Sequence, residues 1–109
     1  MLLEKLNQIR NKFTTVIDSR GGNELLKDLE GLVERAYFDN PYIDLISIDL
    51  RDLEDIETVS KKIVLYFNNK YGKVVDGKEI VGDYLKYKIE QQGLYCVYDK
   101  INAKLKIKM

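Results

Sequence analysis

The sequence contains no histidine and no tryptophan, one cysteine (Cys96) and one proline (Pro41). Without histidine, a His/Cys zinc site cannot be built, and neither a Ser-His nor a Cys-His nucleophile pair can exist. A single cysteine cannot close an intrachain disulfide, which excludes the disulfide scaffold of small secreted domains; a lone thiol fits a reducing, cytoplasmic setting. No apolar run approaches the ~20 residues of a membrane span. The opening MLLEKLNQIR breaks its apolar residues with charges too often for a signal peptide. An excess of one charge sign is also missing, since 18 basic residues balance 18 acidic ones. That is neither the positive surplus of a non-specific nucleic-acid binder nor the negative surplus of a DNA mimic. Linkers, low-complexity runs and internal repeats are absent.

What is present is an ordinary globular composition, 109 residues with 45% apolar and 33% charged. A chain of this length forms one domain and buries roughly 65% of the surface its unfolded form exposes. Phe, Tyr, Met, Ile, Asn and Lys, whose codons are AT-rich, far outnumber Gly, Ala, Arg and Pro. This points to an AT-rich bacterium, or to a phage or mobile element living in one.

The charge is segregated along the chain. Residues 39–60 hold seven acids (Asp39, Asp44, Asp49, Asp52, Glu54, Asp55, Glu57) against Arg51 alone, and residues 61–109 hold eleven lysines against five acids. Excess acid beyond what a helix start uses steers association toward a basic partner. Asp49, Asp52, Glu54, Asp55 and Glu57 are therefore the expected partner-binding surface. As metal ligands they have the right chemistry but lack the D-x-D-x-D-G spacing of a calcium loop, so no metal or cofactor is expected. The lysines Lys86, Lys88, Lys100, Lys104, Lys106 and Lys108, interleaved with tyrosine, form a second candidate, for single-stranded nucleic acid. The alternative role for Lys104, Lys106 and Lys108 is to guard the edge of a sheet against pairing with other chains. The eight tyrosines divide between core and interface, where Tyr gives large contact area at low entropic cost.

Periodicity supplies the elements. Leu2, Leu6, Ile9, Phe13 and Val16 fall on one face of a helix over 2–18. Gly21-Gly22 stops it, Asn23 is placed to cap a second helix, and Asn40-Pro41 ends that one. Together they make an αα-hairpin over 1–40. In YIDLISIDL (42–50), apolar residues on both faces predict a central strand. Asp52 then reads as the N-cap of a helix over 52–71, although KIVLYF (62–67) also suits a strand. Asp76 and Glu79 form a capping box for a helix over 77–92. Leu94–Tyr98 and Ala103–Lys108 alternate as a β-hairpin about the turn Asp99–Asn102, with Ala103, Leu105 and Ile107 inward. Cys96 shares the face of Leu94 and Tyr98, a structural thiol and not a nucleophile. The segment Gly72–Lys78 (GKVVDGK) is most of a P-loop, but Glu79 stands where Ser or Thr should hold magnesium, so two turn glycines and a helix cap explain it better.

The expected fold is α+β, the helical hairpin followed by β-α-α-β-β (41–109), with a small three-stranded sheet packed on helices. From residue 23 the order helix, strand, helix, helix, strand, strand resembles a winged-helix domain, with QQGLYCVYDKINAKLKI in the place of the wing. That resemblance implies nucleic-acid binding. The helix in the recognition position carries Lys78, Lys86 and Lys88 against Glu79, Asp83 and Glu90, and three acids do not suit an approach to phosphates. The leading expectation is thus a non-catalytic factor that binds another protein, as inhibitor, immunity factor or adaptor, with no membrane association and with homodimerisation open. A nucleic-acid-binding regulator is the alternative.

Overall fold

The computed structural model describes residues 1–109, and in it the 3.6-residue and 2-residue periodicities become seven main elements. These are α1 (Leu2–Ile17), α2 (Asn23–Asp39), β1 (Ile46–Asp49), α3 (Ile56–Tyr71), α4 (Gly77–Gln91), β2 (Tyr95–Asp99) and β3 (Lys104–Lys108). The fold is α+β, an N-terminal helical hairpin followed by β-α-α-β-β, with a small sheet packed on helices. Both strand pairings are antiparallel, in the order β1-β3-β2. Ile46, Ile48, Cys96, Leu105 and Ile107 point from one face of the sheet into the core, where they meet Val81, Leu85 and Ile89 of α4 and Leu25 and Leu29 of α2.

The segment 62–67 is helical, inside α3. Its β-branched run is overridden because Ile56, Val59 and Ile63 recur at helical spacing and are all buried. Gly72, with φ 63°, closes α3; its amide donates to the Asn68 carbonyl, and the Lys73 amide donates to that of Phe67. Only a residue at ease in left-handed geometry makes this stop without strain. The P-loop-like stretch is accordingly a helix stop, a short extended link and the start of α4.

Several expectations are corrected. The strand predicted over 42–50 as central is short, 46–49, and lies at a sheet edge; β3 is the central strand. Lys104, Lys106 and Lys108 therefore do not guard an edge. Asp52 does not cap α3, which starts at Ile56; Leu50–Asp52 is a 3-10 turn, and Asp49 caps it by accepting from the Arg51 amide at 2.9 Å. Leu50 and Leu53 are buried, and pulling both inward delays the helix. Asn23 does not cap α2, because its own φ/ψ are already helical. Half of the capping box stands: Asp76 accepts from the Glu79 amide at 3.2 Å, while the Glu79 carboxylate turns to Lys100 instead. Ala103 is not in β3. It holds φ 53° at the end of the hairpin loop and its carbonyl accepts from the Leu50 amide at 2.8 Å.

The hairpin helices join through a bend at Asp18–Gly22, where Gly21 has φ 99°. There Tyr84, 5% exposed, donates a hydrogen bond to Asp18 Oδ1, and Lys88 Nζ lies 3.2 Å from the same carboxylate. A Cβ on Gly22 would strike the Tyr84 ring and hydroxyl, so glycine is what lets the bend close on α4. Beyond the bend the helices serve different parts of the fold: α2 lies along β1, and α1 crosses α4.

Candidate partner-binding surface

The acidic segment does not act as one unit. Asp49 is held by Arg51, through Nε at 2.9 Å and Nη2 at 2.6 Å. The side-chain and backbone hydrogen bonds from Arg51 bring its carboxyl down to about 2. In the sheet it also stands opposite Lys104. Glu57, in the first turn of α3, pairs with Lys78 at 2.5 Å. Asp52, Glu54 and Asp55 are exposed, and their side chains enter no hydrogen bond or ion pair.

These three face α2. Asp52 and Glu54 form one wall of a cleft of about 280 Å³ whose other wall is Lys27, Asp28, Gly31 and Arg35. Asp55 lines a second, polar opening of about 620 Å³ beside the hairpin bend, with Asp18, Glu24, Thr58 and Lys62. The fold therefore adds Glu24 and Asp28, exposed and unpaired, to the acidic segment. Their i, i+4 spacing put them on one face of α2; only the packing of α2 along β1 turns that face toward residues 52–55.

Two exposed aromatic side chains lie at the C-terminal end of α2 and just after it. Phe38 lies at i+7 and i+3 from Gly31 and Arg35, on the face of α2 that walls the cleft, and is 90% exposed. Tyr42 follows the Asn40 turn, in which Asn40 Oδ1 accepts from the Tyr42 amide at 3.1 Å, and is 89% exposed. Asp39 and Asp44 flank the two, exposed and unpaired. Phe38 carried no signal of this in the sequence, since it sits at the end of a helix whose other apolar residues face the core.

The six candidate lysines do not come together. Lys86 pairs with Glu90, Lys88 with Asp18, and Lys100 with both Glu79 and Asp83. Every lysine of α4 is thus in an ion pair. Lys104, Lys106 and Lys108 line the outer face of the sheet, where Lys106 stands opposite Val97 and Lys108 opposite Tyr95.

The chain matches no known family model, no curated protein and no solved structure.

Cys96 is buried, and burial pushes its thiol up to about 11, so it is not a thiolate near neutrality. No three His, Cys, Asp or Glu side chains gather where they could hold a metal ion. No helix is long and apolar enough to cross a membrane.

Proposed function

We propose that this chain is a non-catalytic protein-binding factor, of the inhibitor, immunity or adaptor kind, whose partner presents a basic surface. The observation that carries this reading is the pairing of unpartnered acid with exposed aromatic side chains. Glu24, Asp28, Asp52, Glu54 and Asp55 lie about the cleft edges without ion pairs, and Phe38, at the far end of the same helix α2, and Tyr42 just after it stand in solvent. Aromatic residues anchor interfaces, while rim charges steer the encounter. The same acids would repel phosphate, and the lysines of α4 are engaged by acids of the chain itself, so the surface favours a protein over a nucleic acid.

The test is capture of partners from a lysate of an AT-rich bacterium with nuclease present, followed by binding kinetics at two salt concentrations. Asp52→Lys with Glu54→Lys is expected to slow association by about tenfold at low salt, as charge reversals at a steering surface do. Phe38→Ala with Tyr42→Ala is expected to speed dissociation. If the retained material is instead nucleic acid, indifferent to both double variants and lost on Lys106→Glu with Lys108→Glu, the nucleic-acid reading replaces this one.

A further inference from the structure

The first three turns of α1 stand largely in solvent, with Arg10 over the Tyr87 ring of α4 as their one cation-π contact. Residues 1–12 are exposed throughout, no side chain caps the helix start, and Leu2, Leu3, Leu6 and Ile9 are 71, 70, 51 and 52% exposed. Close packing on the body begins at Phe13, whose ring stacks on Phe67 with centroids 5.2 Å apart, and is complete at the buried Ile17. A helix of about a dozen residues without tertiary support is marginal in water. The four aliphatic side chains leave on the order of 400 Å² uncovered in one stripe, the size of the largest patch on an ordinary monomer, which is often a functional one. Beside the stripe, α1 and α4 wall a groove of about 380 Å³, lined by Leu6, Ile9 and Phe13 from one helix and Ile80 and Tyr87 from the other, with Asp83 among its polar residues.

We infer that a second copy of this chain covers this face, in a two-fold pair where α1 of each copy lays Leu2, Leu6 and Ile9 against the α1/α4 groove of the other. Charge favours this occupant. The free turns of α1 carry Lys5, Arg10 and Lys12, and their one acid, Glu4, falls on the side of the helix away from the stripe. The groove itself holds one base, Arg10, and one acid, Asp83; at its margin Lys100 is shared between Glu79 at 2.9 Å and Asp83 at 3.6 Å, which leaves one uncompensated negative charge on that side of α4. Lys5 and Lys12 of one copy complement that surplus on the other, while Arg10 already lies 5.5 Å from the Tyr87 ring of its own chain. The geometry is self-complementary, as a two-fold contact must be, since one face supplies both the inserted helix and the groove. The stripe supplies about half of the roughly 800 Å² per partner of a stable interface, and the basic side chains of α1 with the outer walls of the groove supply the rest in the pair. None of these residues belongs to the acidic surface, so the pair would present two such surfaces, and the inference stands or falls independently of the proposed function.

Sedimentation equilibrium across a concentration series tests it, with far-UV circular dichroism on the same samples. Wild type is expected to dimerise with a Kd of about 10 µM or tighter, gaining helix signal as it does. Leu6→Glu with Ile9→Glu alters side chains already more than half exposed in the single chain, so the urea midpoint of dilute protein should be unchanged. Its dimerisation should weaken at least a hundredfold. Lys5→Glu with Lys12→Glu should weaken the pair more at low salt than at high salt. A wild type that stays monomeric at about 500 µM would overturn the inference. So would a dimer that survives the Leu6/Ile9 double variant, or a monomer whose stripe is taken up by phosphatidylglycerol vesicles.

Discussion

Replacing Tyr84 with Phe removes one oxygen from the point where the hairpin bend is fastened to α4. The hydroxyl donates to Asp18, whose carboxylate also has Lys88 Nζ at 3.2 Å. A hydrogen bond to a charged group contributes about 1.5–3 kcal/mol. The lower end applies here, because Asp18 keeps Lys88 and its side chain is 25% exposed, so water can take the vacated position. The expected loss is therefore about 1.5 kcal/mol, a fall in Tm of roughly 6–12 °C for a domain of this size. The ring stays, so its packing against Gly22 is retained and the urea m-value should hold. Urea titrations of wild type, Tyr84→Phe, Asp18→Asn and the double variant form a cycle, and a coupling of about 1 kcal/mol or more is expected between the two sites. A loss below about 0.5 kcal/mol, the range of ordinary surface changes, or strict additivity in the cycle, would show that the bend is held by apolar packing alone.

Leu105 is fully buried in the central strand, opposite Ile48 and Tyr98, where neither neighbouring strand is free to collapse inward. Leu105→Ala should cost about 3–4 kcal/mol, while Lys106→Ala on the outer face should stay within about 0.5 kcal/mol; equal urea midpoints for the two would reverse the assigned register. Ala103 carries its φ of 53° in a region that costs a residue with a Cβ about 1–2 kcal/mol, so Ala103→Gly should raise stability by about 0.5–1 kcal/mol in spite of the lost methyl group and the added chain entropy. A lower urea midpoint would contradict that. Burial raises the Cys96 thiol from 9.0 to about 11, and burial followed by the Asp18 carboxylate raises the Tyr84 phenol well above its ordinary value. A folded-state pKa raised above the unfolded one gives stability that is complete below the unfolded value and lost as pH climbs toward the folded value. Stability should thus decline above about pH 9, less steeply in Cys96→Ala and in Tyr84→Phe, and native Cys96 should resist thiol reagents at neutral pH.

The elements and their faces could be read from residue spacing, because a side chain's direction follows from helix or strand geometry within a few positions. Leu105 and Ile107 inward with Lys104, Lys106 and Lys108 outward needed no knowledge of the rest of the chain. Gly72 as a turn glycine, and Asp76 at the start of α4, were equally local. What spacing could not say is which element lies beside which. Alternation in β3 shows one buried face, but it does not show that β1 and β2 pair on either side of β3 and place it at the centre. The apolar residues of 42–50 suggested a central strand, whereas Ile43 packs half-buried at the margin of the core and Leu50 and Leu53 are buried within it outside the strand.

The candidate surfaces divide in the same way. Residue order alone shows that acid collects in 39–60, that lysine follows it, that α1 carries an apolar stripe, and that no histidine or disulfide chemistry is present. The tertiary structure decided which charges are spent: Asp49 on Arg51, Glu57 on Lys78, Lys88 on Asp18. It brought Glu24 and Asp28 of α2 beside Asp52, Glu54 and Asp55, and it left Phe38 and the first turns of α1 in solvent. The reason is physical. A periodic stripe records that a face must be covered, and a charge records that it must be solvated or paired. The choice of what covers or pairs it depends on residues tens of positions away, whose approach is set by the packing of the whole chain.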